Sequence, residues 1–161
     1  MGAYFLDTSA IVKHYCPESG QSWVQNLCDP VQGHGLFISQ EAALVEVVTD
    51  FCRKAYLKDI SVTQRDRLIG AFRTDCESSY TIEPVTDAIY TAAGDLCRMY
   101  NLRAYDAVQL TCALNIRNEA LADQTPSPIF VCADKRLVEF ACAEGLDTDN
   151  PENHPFLAEG E

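Results

Sequence analysis

Residues 3–13 read AYFLDTSAIVK. A short apolar run with β-forming aromatics ends at Asp7 and passes at once into Thr8-Ser9, a pair that opens helices. Strand followed directly by helix is the signature of an α/β unit, and the pattern recurs along the chain. ESGQSWVQNLCD places Trp23 and Leu27 one turn apart and predicts a short helix before a turn at Gly33 and Gly35. GLFIS is a second strand. Ser39 then caps a predicted helix through QEAALVEVVTDFCRKAYLK, where Ala43, Val47 and Phe51 recur every four residues. A further helix over residues 62–78 puts Leu68 and Phe72 on one face, so the two long helices can form a hairpin. YTIEP is a third strand closed by Pro84. TDAIYTAAGDLCRMY and AYDAVQLTCALNIR are helices separated by the break at Asn101-Leu102-Arg103. PIFVCAD is a fourth strand, KRLVEFACAEGL a helix stopped by Gly145, and a fifth short strand is predicted near residues 146–148.

Short strands alternating with helices predict an α/β fold: one open parallel sheet of four or five strands, with helices on both faces in a Rossmann-like three-layer arrangement. The only breaker-rich stretch, DQTPSP at residues 123–128, precedes the fourth strand and reads as a loop. A single domain over residues 1–150 is therefore expected, followed by an acidic tail over residues 151–161.

The chain has 161 residues, of which 47% are hydrophobic, enough to bury a core of its own. No apolar run is long enough for a membrane span, and the N-terminus has neither a signal-peptide nor a myristoylation pattern. A cytoplasmic location is the expectation. The eight cysteines form no C-x-x-C pair. Cys52, Cys97, Cys112, Cys132 and Cys142 sit among apolar neighbours and read as reduced core thiols. His14, His34 and His154 are isolated, which argues against zinc.

A net charge of −12 argues against indiscriminate nucleic-acid binding. The charge is unevenly spread. Residues 51–75 hold six of the twelve basic residues, whereas residues 139–161 hold seven acids and no Lys or Arg.

Open parallel sheets carry their functional groups beyond the carboxyl ends of the strands. Asp7 ends the first strand and Asp134 the fourth, while Glu46 and Asp106 interrupt apolar helical segments. Each has an ordinary account. Asp7 and Asp134 can be helix N-caps, Glu46 can reach solvent or pair with a basic residue one turn on such as Arg53, and Asp106 can pair with Arg103 three residues earlier. A carboxylate buried without a partner costs several kcal/mol, and four separate accidents are a weaker account than one shared cause.

FLDTSAIVK, ALVEVV, LRAYDAVQL and VCADKRL…AEGL resemble, in order and in form, the motifs of PIN-domain ribonucleases, most of all the VapC-like toxin branch. The resemblance covers nearly the whole chain, and LRAYDAVQL is its most specific part. It implies a PIN-like fold. It places the acidic quartet on Asp7, Glu46, Asp106 and Asp134, with Thr8 or Ser9 as a hydroxyl helper, and implies Mg²⁺ or Mn²⁺ as cofactor. Oxygen-only donor sets favour such hard cations. The implied reaction is hydrolysis of RNA phosphodiester bonds, leaving 5′-phosphate and 3′-hydroxyl ends. It further implies a homodimer and a small antitoxin protein that covers the acidic pocket with a basic residue and often binds promoter DNA. The face built by the helices after Ser39 and after Val62 is the expected antitoxin surface.

Glu41 competes with Glu46 for its place in the quartet, and the loop before Asp134 is long for a compact version of the fold. Given the net charge, RNA would be steered by Arg53, Lys54, Lys58, Arg65 and Arg67, helped by Lys135 and Arg136. Two other readings of the residues stay open: a non-catalytic PIN-like binding or regulatory module, and a housekeeping RNA-processing nuclease without an antitoxin. A haloacid-dehalogenase-like phosphatase would want a second Asp where this chain has Ser9. A receiver-like domain fits no better, because the third strand ends in IEP.

Overall fold

A computed structural model describes residues 1–155. Its five strands are β1 (Ala3–Leu6), β2 (Gly35–Ser39), β3 (Thr81–Glu83), β4 (Ile129–Val131) and β5 (Thr148–Asp149). All neighbouring pairs are parallel, in the order β3-β2-β1-β4-β5. The short β5 starts later than the sequence predicts, because Leu146 is drawn into the core instead.

Helices α1 (Thr8–Tyr15), α2 (Gln21–Cys28), α3 (Val47–Tyr56) and α4 (Val62–Ser78) cover one face of the sheet. Helices α5 (Asp87–Met99), α6 (Ala104–Asp123) and α7 (Lys135–Ala143) cover the other. Phe51 and Phe72 anchor the first layer, with Tyr15 edge-on to both rings. In the second layer Phe5 stacks on Phe130 at 5.8 Å, which ties β1 to β4 through their side chains as well as their backbones. The predicted hairpin is present as α3 and α4 packed together. Ser61 starts α4 with a reciprocal capping box to Gln64.

Two local expectations are corrected. The helix after Ser39 does not run as one regular α-helix: Ala42–Glu46 forms a π turn before α3. The wider turn rotates Leu44 and Val45 into solvent, 65% and 48% exposed, while Ala42, Ala43 and Val47 stay in the core. Glu46 is therefore not wrapped by its apolar sequence neighbours. The cysteines also divide differently. Cys112 and Cys132 are buried, but Cys52, Cys97 and Cys142 are exposed on helix surfaces, and Cys16 and Cys28 fill the core instead. All eight are free thiols.

From β1 the chain moves outward through β2 to β3, and later returns to the other side of β1 for β4. The strand order thus reverses between β1 and β4, the place where such sheets open a crevice at their carboxyl ends. Asp7 and Asp134 leave the sheet on the two sides of that crevice.

The C-terminal stretch of the described residues packs rather than trailing away. Pro151–Asn153 forms a 3₁₀ turn with Pro151 buried, and His154 stacks on Trp23 at 4.4 Å. Residues 156–161, the rest of the expected acidic tail, lie outside the described residues. Among the described residues, no helix is long and apolar enough to cross a membrane.

Candidate active site

A cavity of about 430 Å³ opens at the β1/β4 crevice. Its walls carry Asp7, Glu46, Asp106 and Asp134, from four separate segments of the chain, together with Thr8 and Ser9. Glu41 is not among the lining residues. It lies buried behind the π turn, with neither carboxylate oxygen hydrogen-bonded, so geometry favours Glu46 as the acid that faces the cavity.

Asp7 is buried at the end of β1, where its amide continues the sheet by donating to the Val131 carbonyl at 3.1 Å. Its carboxylate caps α1: Oδ1 accepts from the Ala10 amide at 3.1 Å and from the Ser9 hydroxyl at 2.5 Å, while Oδ2 accepts from the Cys132 thiol at 3.2 Å. Asp134 likewise caps α7, accepting from the amides of Arg136 at 3.0 Å and Leu137 at 3.3 Å. The capping account thus holds for both residues as far as it goes. It does not remove either carboxylate from the cavity wall.

The ion pairs offered for the other two acids are absent, and half-buried Glu46 keeps some contact with solvent. Among the described residues no ion pair joins Glu46 to Arg53 or Asp106 to Arg103. Glu46 Oε2 instead accepts from Thr8 Oγ1 at 2.6 Å and from Gln109 Nε2. The two candidate hydroxyl helpers therefore serve different acids, Thr8 the glutamate and Ser9 the first aspartate.

Burial pushes the carboxyl of Asp7 up from 3.8 to about 6, outweighing the hydrogen bonds from Ser9, Cys132 and Ala10, and Asp106 adds repulsion. Burial also raises Glu46 to about 7, with repulsion from Glu41, Asp106 and Asp7. Asp106 is raised by burial and by the nearby Asp134 charge, and Arg103 and Arg136 partly offset this. The acids thus feel one another's charge across one cavity.

Further lining residues escape a reading of the sequence. Gln109, three residues after Asp106 and almost completely buried, joins α6 to α1 and to the π turn. Asp50, one turn beyond Glu46, lines the cavity too, and burial raises its carboxyl as well. Lys13 is a buried lysine that pairs with Glu18 at 3.3 Å and with Glu152 at 3.5 Å, and Lys54 pairs with Glu18 at 2.8 Å. Spacing signals existed for Gln109 and Asp50, which share a helix face with the neighbouring acid. None existed for Glu152, which arrives from the far end of the chain.

Seven carboxylates and only two basic side chains, Lys13 and Arg103, line the cavity. Such an excess of oxygen donors suits a hard divalent cation, which would relieve both the burial cost and the mutual repulsion. As the side chains are placed, no three His, Cys, Asp or Glu groups among the described residues converge closely enough to chelate one ion. Mg²⁺ does not require that, because it usually keeps several waters and takes one or two carboxylates together with substrate phosphate. The donor set therefore fits the cation that the resemblance implies.

A doubly covered parallel sheet with an acid-lined crevice at its strand-order reversal defines an open α/β protein with its candidate site at the topological switch point. The PIN domain model matches residues 4–123, about three quarters of the chain, and the chain belongs to the PIN domain family. The match includes Asp7, Glu46 and Asp106 and stops short of Asp134. No curated protein matches the sequence significantly. Among solved structures, the fold is similar to VapBC2 from Rickettsia felis bound to a DNA fragment from their promoter. That similarity has a TM-score of 0.57 at 17% identity and covers 92% of this chain and 98% of the other.

Proposed function

We propose that this chain is a Mg²⁺- or Mn²⁺-dependent ribonuclease and the toxin of a toxin–antitoxin pair. The observation that carries the proposal is the convergence of Asp7, Glu46, Asp106 and Asp134 on one crevice, where the ordinary partners of Glu46 and Asp106 are missing. Membership of the PIN domain family and a fold shared with VapBC2 support it.

In this reading Asp7, Glu46, Asp106 and Asp134 hold the divalent metal. When bound, it supplies Lewis-acid activation of a water and neutralises charge at the scissile phosphate. The protein's own groups do the positioning. Ser9 and Cys132 hold Asp7 from two sides, and Thr8 with Gln109 holds Glu46 by one oxygen, leaving the other without a hydrogen bond from the described residues. Asp106 accepts no hydrogen bond from the described residues and stands on a helix whose buried face fixes its direction.

The antitoxin partner is proposed to cover this crevice and to grip the neighbouring α3/α4 face. There Leu44, Val45, Tyr56, Leu57 and Val62 stand exposed, apolar anchors of the kind an amphipathic helix engages. Homodimer formation is proposed on the resemblance alone.

The deciding experiment is calorimetric titration of Mg²⁺ and Mn²⁺ into the protein and its D106N variant, with cleavage of mixed single-stranded RNA followed in the same samples. Metal binding and cleavage that both disappear in D106N establish the cluster as a nuclease site. Wild-type protein that neither binds metal nor cuts RNA overturns the proposal.

A further inference from the structure

On the α6/α7 side the acid cavity adjoins a second, smaller one of about 80 Å³. Arg103, Asp106 and Asp134 belong to both; Arg136 and Phe140 line the smaller one. Two guanidinium groups and two carboxylates thus share one small cleft beside the acid cavity.

The cations on the two sides of the crevice differ in kind. Lys13 and Lys54, near α1 and α3, are committed to Glu18 and Glu152. Among the described residues Arg103 and Arg136 pair with no acid. Arg136 is nevertheless held in place. Its Nη2 donates to the Asn101 carbonyl at 2.6 Å, and its guanidinium lies 5.4 Å over the Phe140 ring. Those contacts leave the other guanidinium nitrogens for a ligand, and a guanidinium fixed in this way loses little freedom on binding. Arg103 sits at the N-cap of α6 and makes no side-chain capping bond, so the first amides of a 20-residue helix are also without a side-chain acceptor at this point. Two unpaired guanidinium groups, one of them oriented, stand at the mouth of an otherwise acidic crevice. That arrangement suits an anion arriving with the substrate.

We propose that the Arg103–Arg136 cleft binds the RNA phosphate adjacent to the scissile one, so that the strand runs from the acid cavity across the N-termini of α6 and α7. The proposal rests on the ribonuclease reading for the identity of the strand. It also gives a strongly acidic protein a local means of holding a polyanion without a basic surface at large.

The test measures binding of a fluorescein-labelled oligouridylate to metal-free protein by anisotropy, over a range of salt concentrations, for wild type, R103Q and R136Q. A parallel cleavage assay is run with Mn²⁺. Each substitution should weaken binding about tenfold, as loss of a charge-assisted contact does, and should lower the salt slope by about one. R136K, which keeps the charge, should restore most of the slope and only part of the affinity. R103Q changes an exposed side chain without hydrogen bonds, so it reports binding free of folding effects. Wild-type cleavage with unchanged affinity and slope in both glutamine variants overturns the subsite and leaves the nuclease reading standing. Reduced slopes in a wild-type background that cuts nothing do the reverse. Wild-type protein that binds no RNA without metal overturns the subsite, and the Mn²⁺ cleavage assay then decides the nuclease reading by itself.

Discussion

The backbone amide of Thr8 donates to Gln109 Oε1 across 3.0 Å, and that bond decides which way the buried Gln109 amide lies. With its oxygen committed to an N–H, Nε2 has to face Thr8 Oγ1, at 3.2 Å, and Glu46 Oε2. One side chain thus satisfies an unpaired first-turn amide of α1 and fixes a carboxylate of the site. Q109L should leave the Thr8 amide without a partner and Glu46 Oε2 with the Thr8 hydroxyl alone, at about 1–3 kcal/mol of stability. It should also lower kcat on RNA at least tenfold at saturating Mn²⁺. Chemical denaturation and cleavage kinetics check the two halves of this prediction separately. Q109L with wild-type stability and wild-type kcat would show that the amide positions nothing.

The raised carboxyls give the metal-free protein an unusual pH dependence. A carboxyl whose pKa is higher folded than unfolded binds its proton more tightly in the folded state, so stability falls as pH rises between the two values. For Asp7 that window runs from 3.8 to about 6. At about 1.4 kcal/mol per pH unit the loss is about 3 kcal/mol. Glu46 acts with the same sign up to about pH 7, weakened by its contact with solvent, and buried Glu41 acts in the same direction. In EDTA, urea denaturation should therefore show the protein more stable at pH 5 than at pH 8. Mn²⁺ should raise the melting temperature more at pH 8 than at pH 5, since it binds the ionised carboxylates. Metal-free stability that is flat or rising across this range would contradict the burial of these acids.

The alternation of strand and helix is legible in the sequence because the first four strands each end at or are followed by a cap or breaker: Asp7, Ser39, Pro84 and Asp134 all stand where elements change. The four acids are legible for a related reason, since a charge in an apolar segment or at a strand end violates the local pattern. What the pattern does not carry is rotation and partnership. The π turn at Ala42–Glu46 leaves no mark in an apolar run, so the exposure of Leu44 and Val45 and the true setting of Glu46 are invisible until α3 is packed. Cys132 reads as one more small apolar residue, yet its thiol faces Asp7 because β4 lies beside β1. Glu152 meets Lys13 only because the Pro151–Asn153 turn packs back over α2.

Ser9 links the two sides of the crevice. Its hydroxyl donates to Asp7 and accepts from the Ala133 amide at 2.9 Å, which ties the start of α1 to the loop after β4. S9A should cost about 1–2 kcal/mol and weaken metal affinity more than RNA affinity, because it loosens Asp7 and leaves the Arg103–Arg136 side untouched. Calorimetry with Mn²⁺ and anisotropy with RNA measure the two affinities. A loss confined to RNA binding would place Ser9 against the substrate instead.

Gly20 is where the C-terminal segment depends on a residue without a side chain. Its φ of +87° lies in the left-handed region, and a Cβ there would collide with the Pro151 carbonyl oxygen. That carbonyl belongs to backbone, so a longer residue cannot be accommodated by a rotamer change. Either α2 or the Pro151–Asn153 turn has to move. G20A should therefore destabilise the protein by more than the about 1 kcal/mol that the left-handed conformation alone costs, and should release residues 150–154 from the Trp23 surface. Amide hydrogen exchange checks this, with protection expected to fall at Asn153 and His154, whose amides are bonded within that turn, while α6 stays protected. Because Glu152 rides on the same turn, the Lys13–Glu152 pair should be lost with it and Lys13–Glu18 retained. Unchanged exchange at Asn153 in G20A would show that the turn does not depend on Gly20 and is held by its other contacts, the Lys13–Glu152 pair and the His154–Trp23 stack.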